Sequence, residues 1–136
     1  MENKVEKAGE LFHCGYNCAQ AVFAAFAPEL GIDSETALKL ASSFGGGMGQ
    51  LREVCGALSA LFMVAGIKHG YALPDDPDAK KEHYALVREL AEEFKARNGA
   101  ILCRELLALQ GKTESGHGKG CEDLVRSAAA IAVEKL

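Results

Sequence analysis

Val54-Cys55-Gly56-Ala57-Leu58-Ser59-Ala60-Leu61-Phe62-Met63-Val64-Ala65-Gly66-Ile67 is the longest apolar stretch of the chain, and its reading decides the fold. It is shorter than the ~20 residues a membrane span needs, so it reads as a deeply buried core helix that ends near Gly70. Working back from it, Gly45-Gly46-Gly47-Met48-Gly49 predicts a turn. Before that turn, Asp33 or Ser34 can cap a helix carrying Ala37, Leu38, Leu40 and Ala41. Nearer the N-terminus, Val5, Ala8, Leu11 and Phe12 recur at helical spacing, and Gly15 interrupts them before an apolar segment from about Cys18 to Phe26. These two segments predict a helix pair or one kinked helix. Working forward, Asp75-Asp76-Pro77 supplies a cap and first turn for an amphipathic helix. Tyr84, Val87, Leu90, Ala91 and Phe94 form its apolar face, Arg88, Glu89, Glu92, Glu93 and Lys95 its polar face, and Asn98-Gly99 its end. A short helix around Ile101 to Leu109, the glycine-rich loop Gly111 to Gly120, and a last helix through Leu124, Val125, Ala128 and Ile131 complete the chain. The expectation is an all-α, single-domain bundle of about six or seven helices spanning residues 1–136.

Several functions are set aside by composition. A 136-residue chain with 49% hydrophobic and 25% charged residues can cover one helical core and is not built like a disordered chain. Its net charge of -4, without a cluster of Lys and Arg, excludes nucleic acid and other acidic partners. Met1 to Lys7 alternates in charge and leads into no uninterrupted apolar run, so neither a secretory signal nor a membrane span is expected. A cytoplasmic location follows. In that reducing setting five cysteines are poor candidates for structural disulfides, and redox, catalytic or metal-binding roles gain weight.

The cysteines are Cys14, Cys18, Cys55, Cys103 and Cys121. All but Cys14 follow a break signal, which places them near helix beginnings. There the positive end of the helix dipole favours the thiolate, the form that attacks disulfides and binds metals. This reading is firmest for Cys18 and Cys121; Cys55 and Cys103 are placed one or two turns into their helices at the outer limit. Cys14 and Cys18 would share a face on one continuous helix, but their spacing is not that of a C-x-x-C pair. The other three are far apart in sequence, so the fold must assemble any joint site. Against this stands the plain alternative that free cysteine behaves as a small buried hydrophobe, which explains Cys103 most easily.

Other motifs carry less. The Gly45–Gly49 run matches neither a P-loop nor G-x-G-x-x-G; it lets backbone pass close to another element, offers amide N–H groups to an anionic thiolate or cluster, or forms an ordinary tight turn. His13, His69, His83 and His117 are scattered, and only His117, in the loop before Cys121, merits a test. Glu105, Glu122 and Asp123 read as first-turn helix support. Ser42, Ser43 and Ser59 have no nucleophile-elbow context, so hydrolase chemistry is set aside.

Five motifs in order, Gly15-Tyr16-Asn17-Cys18-Ala19-Gln20-Ala21-Val22, Phe44-Gly45-Gly46-Gly47-Met48-Gly49, Cys55-Gly56-Ala57, Cys103-Arg104-Glu105-Leu106 and Cys121-Glu122-Asp123-Leu124-Val125, resemble the C_GCAxxG_C_C family of redox-active proteins across nearly the whole chain. The resemblance implies a site of four cysteines, Cys18, Cys55, Cys103 and Cys121, with Cys14 as an extra. One departure is Ala60, where the C-G-A-x-x-G element has its last glycine. Three functions compete. The first is a thiol-dependent oxidoreductase or electron-transfer accessory with an unidentified redox partner, in which Cys18 and Cys55 pair if their Cα atoms lie within ~7 Å. The second is an iron-sulfur cluster or zinc site on Cys18, Cys55, Cys103 and Cys121, favoured if all four sulfurs converge. The third is a helical interaction protein with structural cysteines. A second copy of the chain is a further candidate partner.

Overall fold

The computed structural model describes residues 3–111 and 119–136, and among these it is all helical. Seven α-helices follow one another: α1 (Lys4–His13), α2 (Cys18–Leu30), α3 (Ser34–Ala41), α4 (Gly56–His69), α5 (Pro77–Asn98), α6 (Cys103–Leu109) and α7 (Lys119–Lys135). Between α3 and α4 the chain makes a short 3-10 turn, Ser42–Phe44, and then the glycine turn. The expected caps are in place. Asp33 accepts from the Thr36 N–H ahead of α3, Asp76 accepts from the Ala79 N–H with Pro77 opening α5, and Gly99 closes α5 in a left-handed conformation. Gly15, at φ +108°, separates α1 from α2, which settles the helix pair over the kinked helix.

The apolar stretch that decided the fold becomes α4 and occupies the centre. Ala57, Leu58, Ser59, Ala60, Leu61, Val64 and Ala65 are all buried. Its main neighbour is α2, which buries Ala19, Ala21, Val22, Phe23, Ala25, Phe26 and Ala27. So many alanines let the two backbones approach closely, while Phe23 and Phe26 fill the remaining volume. Ala60, the family-pattern departure, is itself fully buried in this seam. Helix α5 is long but lies on the outside, burying only Leu90 and Phe94. The buried side chains form one continuous cluster. Among the described residues no helix is long and apolar enough to cross a membrane.

No strand forms among the described residues, but one isolated antiparallel bridge joins Val54 to Leu102. The Cys55 N–H donates to the Ile101 carbonyl at 2.9 Å and the Cys103 N–H to the Glu53 carbonyl at 2.6 Å. This register opposes residue 53 to 103 and 55 to 101. Because side chains alternate along extended backbone, Cys55 and Cys103 leave the bridge on the same side.

Candidate functional site

Four of the cysteines stand at helix beginnings. Cys18 is the first residue of α2, behind Asn17, whose side-chain oxygen accepts from the Gln20 N–H at 2.9 Å. The Gln20 side chain accepts in return from the Asn17 N–H at 3.1 Å, which completes a capping box. The same two side chains donate onward to the Ser42 and Leu38 carbonyls, both at 3.1 Å, fixing the start of α2 against the end of α3. Cys55 caps α4, Cys103 is the first residue of α6, and Cys121 is the third of α7. All four thus stand near helix starts as expected, and the bridge, which holds residues 52–55 and 101–102 out of helical conformation, keeps Cys55 and Cys103 from lying deeper in their helices.

The glycine turn closes this end of the molecule. Gly46, Gly47, Met48, Gly49, Gln50 and Arg52 all have positive φ, and the chain folds back so that the Arg52 and Glu53 N–H groups donate to the Gly46 and Gly47 carbonyls. Gly47 has no room for a side chain: a Cβ there would lie 2.7 Å from Cys103 Cβ and 2.8 Å from the Glu53 nitrogen. Gly56 is equally constrained, since a Cβ would lie 2.5 Å from Cys18 Sγ and 2.6 Å from the Phe44 carbonyl oxygen. Of the uses the sequence allowed for the glycine run, close backbone passage is found at Gly47, and an amide N–H offered to a thiol is found at Gly46, which faces Cys18. Met48, Gln50 and Arg52 hold left-handed backbone without being glycine, at about 1–2 kcal/mol each.

Cys18, Cys55, Cys103 and Cys121 line one small cavity of about 20 Å³, room for about one water. Leu106, Leu107 and Leu124 make its walls largely apolar, and Arg52 is the cation on its lining. The Arg52 guanidinium Nη1 donates to Cys103 Sγ at 3.7 Å. Cys18 and Cys55 are buried, whereas Cys103 and Cys121 are half-buried. Cys14 caps the end of α1, is exposed, and lines none of this cavity.

Thiolate formation at the helix starts does not hold for the two deep thiols. Burial pushes the Cys18 thiol above its ordinary range; the Gly46 and Ala19 backbone N–H groups pull it back less strongly, and charge on Cys121 and Cys103 would raise it further. Burial likewise pushes Cys55 up, aided by Cys18, against weaker pulls from the Leu58 and Ala57 N–H groups. The helix-start donors are present, but desolvation outweighs them. A set of four sulfurs suits zinc or an iron-sulfur cluster chemically. Yet among the described residues no three His, Cys, Asp or Glu side chains are arranged to hold a metal ion.

Residues 16–135 match the sequence model of a family described as "Putative redox-active protein (C_GCAxxG_C_C)". The chain belongs to the C_GCAxxG_C_C family. No curated protein and no solved structure matches it. The four cysteines singled out by the sequence motifs are those that line the cavity, and Gly47 and Gly56 bring backbone against Cys103 and Cys18. Arg52 was not singled out from the sequence; the available signal was a lone cation between the glycine turn and Cys55. The histidines lie elsewhere. His13 bonds Glu122 at 2.6 Å, His69 and His83 line a separate surface depression, and His117 is outside the described residues. Glu105 and Glu122 do occupy first turns, and Glu122 also pairs with Arg126 at 2.9 Å.

Proposed function

We propose that this C_GCAxxG_C_C protein is a thiol-dependent redox protein whose cavity thiols cycle between dithiol and disulfide. The observation that carries this reading is that four cysteines from four separated helix starts line one small, largely apolar cavity. In each oxidation two thiols give up two electrons and two protons to an acceptor, and one S–S bond forms. Cys103 is the thiol that meets the acceptor, because it is half-buried and receives the Arg52 guanidinium. Cys55, on the same side of the bridge, closes the disulfide. The Cys18–Cys55 pair lacks an attacking thiolate, since burial keeps both thiols protonated; Cys18 and Cys121 serve as a second pair. A reducing compartment such as the cytoplasm, with a separate redox partner or a second copy of the chain, suits such a cycle.

The convergence of four sulfurs also favours a cysteine-held zinc ion or iron-sulfur cluster, which would need the sulfurs to draw together. Protein purified without oxygen separates these readings. The expected result is colourless, metal-free protein in which oxidation removes cavity thiols in pairs and a dithiol reductant restores them. Stoichiometric zinc, or visible absorbance with iron and sulfide, would replace thiol exchange with the metal reading. If Cys→Ser changes at the cavity alter stability alone, the cysteines are structural.

A further inference from the structure

The cavity also limits what its thiols can meet. Only about 20 Å³ is open between the four cysteines, room for a molecule little larger than one water. A tripeptide disulfide, a protein loop or a bulky organic group cannot reach Cys55 through it without displacing the Gly46–Arg52 backbone. That backbone is held by hydrogen bonds from Gln50, Arg52 and Glu53 back to Gly45, Gly46 and Gly47. The lining supplies a nucleophile with a cation against it, Cys103 Sγ and Arg52 Nη1, and a protonated thiol, Cys55, on the same side of the bridge. A nucleophilic sulfur, a donor for a departing hydroxide and a neighbouring thiol are what cleavage of a small O–O bond requires.

We infer that the oxidant this cavity accepts is hydrogen peroxide, with Cys103 as the attacking sulfur, Arg52 as donor to the leaving oxygen and Cys55 as the resolving thiol. This deepens the thiol-exchange reading and rests on it. In the first step Cys103, its proton released to solvent, attacks one peroxide oxygen as thiolate; the S–O bond forms, the O–O bond breaks, and hydroxide leaves toward the Arg52 guanidinium and takes up a proton from solvent to become water. Cys103 is then a sulfenic acid, oxidised by two electrons, and the peroxide is reduced by two. In the second step Cys55 sulfur attacks Cys103 sulfur; the S–S bond forms and the sulfenic oxygen leaves with the Cys55 proton as water. In sum, two thiols and one hydrogen peroxide give one disulfide and two waters. A dithiol reductant returns the two thiols.

The test uses the reduced full chain carrying Cys14→Ser, which removes the exposed thiol. It is mixed separately with hydrogen peroxide, cumene hydroperoxide and glutathione disulfide, and remaining thiols are alkylated and assigned by mass spectrometry over time. Hydrogen peroxide is expected to consume Cys103 and Cys55 together, while the two bulky oxidants leave Cys55 reduced over the same period. Arg52→Gly removes the guanidinium yet suits the left-handed backbone at this position, so it keeps the fold; it should slow the peroxide reaction about 100-fold. Arg52→Lys, which returns a positive charge, should recover part of that loss. Equal consumption of Cys55 by a bulky oxidant, or an Arg52→Gly rate equal to that of the unaltered chain, overturns the inference. A Cys103–Cys55 disulfide formed with glutathione disulfide but not with peroxide overturns it while thiol exchange stands. No disulfide with any of the three oxidants overturns both.

Discussion

The two ends of α4 differ in what a glycine does there. At its start, Gly56 lies against Cys18 Sγ and the Phe44 carbonyl, and the end of the bundle around it is built from left-handed turn, bridge and buried thiols. Near its other end, Gly66 is exposed and a Cβ there would meet nothing within 4 Å. That end is held by charge instead: Lys68 meets Glu29 at 2.8 Å and Lys4 meets the same carboxylate at 3.7 Å, joining α4, α2 and α1 at the surface. One helix thus runs from an end where small changes collide with fixed backbone to an end where they are absorbed by solvent. Overpacked glycine sites and buried thiols should respond strongly to perturbation, and the solvated end weakly.

The largest effect is expected at Gly47→Ala. The added methyl meets backbone and Cys103 while the residue sits at φ +71°, so a loss of about 4 kcal/mol should appear as a lower urea midpoint. Gly56→Ala follows at about 3 kcal/mol, because the colliding Phe44 oxygen belongs to the backbone and cannot swing away. Alkaline pH comes next. Cys18 and Cys55 have folded-state thiols raised above the unfolded ones, so their contribution is complete below the ordinary thiol range near 8.5 and is lost as pH rises above it. Each thiol should cost up to about 1.4 kcal/mol per pH unit there, read by denaturant titration between pH 7 and 10. Cys55→Ala should flatten that decline. The smallest effect, opposite in sign, is Gly66→Ala, which should raise stability by about 0.5–1 kcal/mol through helix propensity alone. If Gly56→Ala and Gly66→Ala shift stability equally, the contrast between the two ends is broken.

Much of the scaffold was legible in the chain because local chemistry specifies it. Asn17 before Cys18, Asp33 before α3, Asp76-Pro77 before α5 and Gly99 after it each satisfy backbone groups of their own helix, so no distant contact is needed to read them. The bridge between Val54 and Leu102 was not legible, since pairing so few residues leaves no alternating pattern. That Cys55 and Cys103 stand near helix starts was legible from the breaks before them, but the shared side on which the bridge sets them was not. The protonation of Cys18 and Cys55 was misjudged because dipole and burial oppose one another there. The dipole follows from sequence position, while burial depends on Leu106, Leu107 and Leu124, which lie far along the chain. Arg52 belongs with these: nothing nearby in sequence says that its side chain turns toward a sulfur on α6.

The capped start of α2 has a consequence for how the chain is made. Asn17 and Gln20 find their partners, Ser42 and Leu38, soon after they emerge, so Cys18 can be set in place early. Its companion Cys121 follows about 100 residues later, and at about 5–20 residues per second that leaves the thiol waiting for seconds. During that interval Cys18 and Cys55 are exposed to wrong partners, a nascent chain's hazard that disappears once α7 docks.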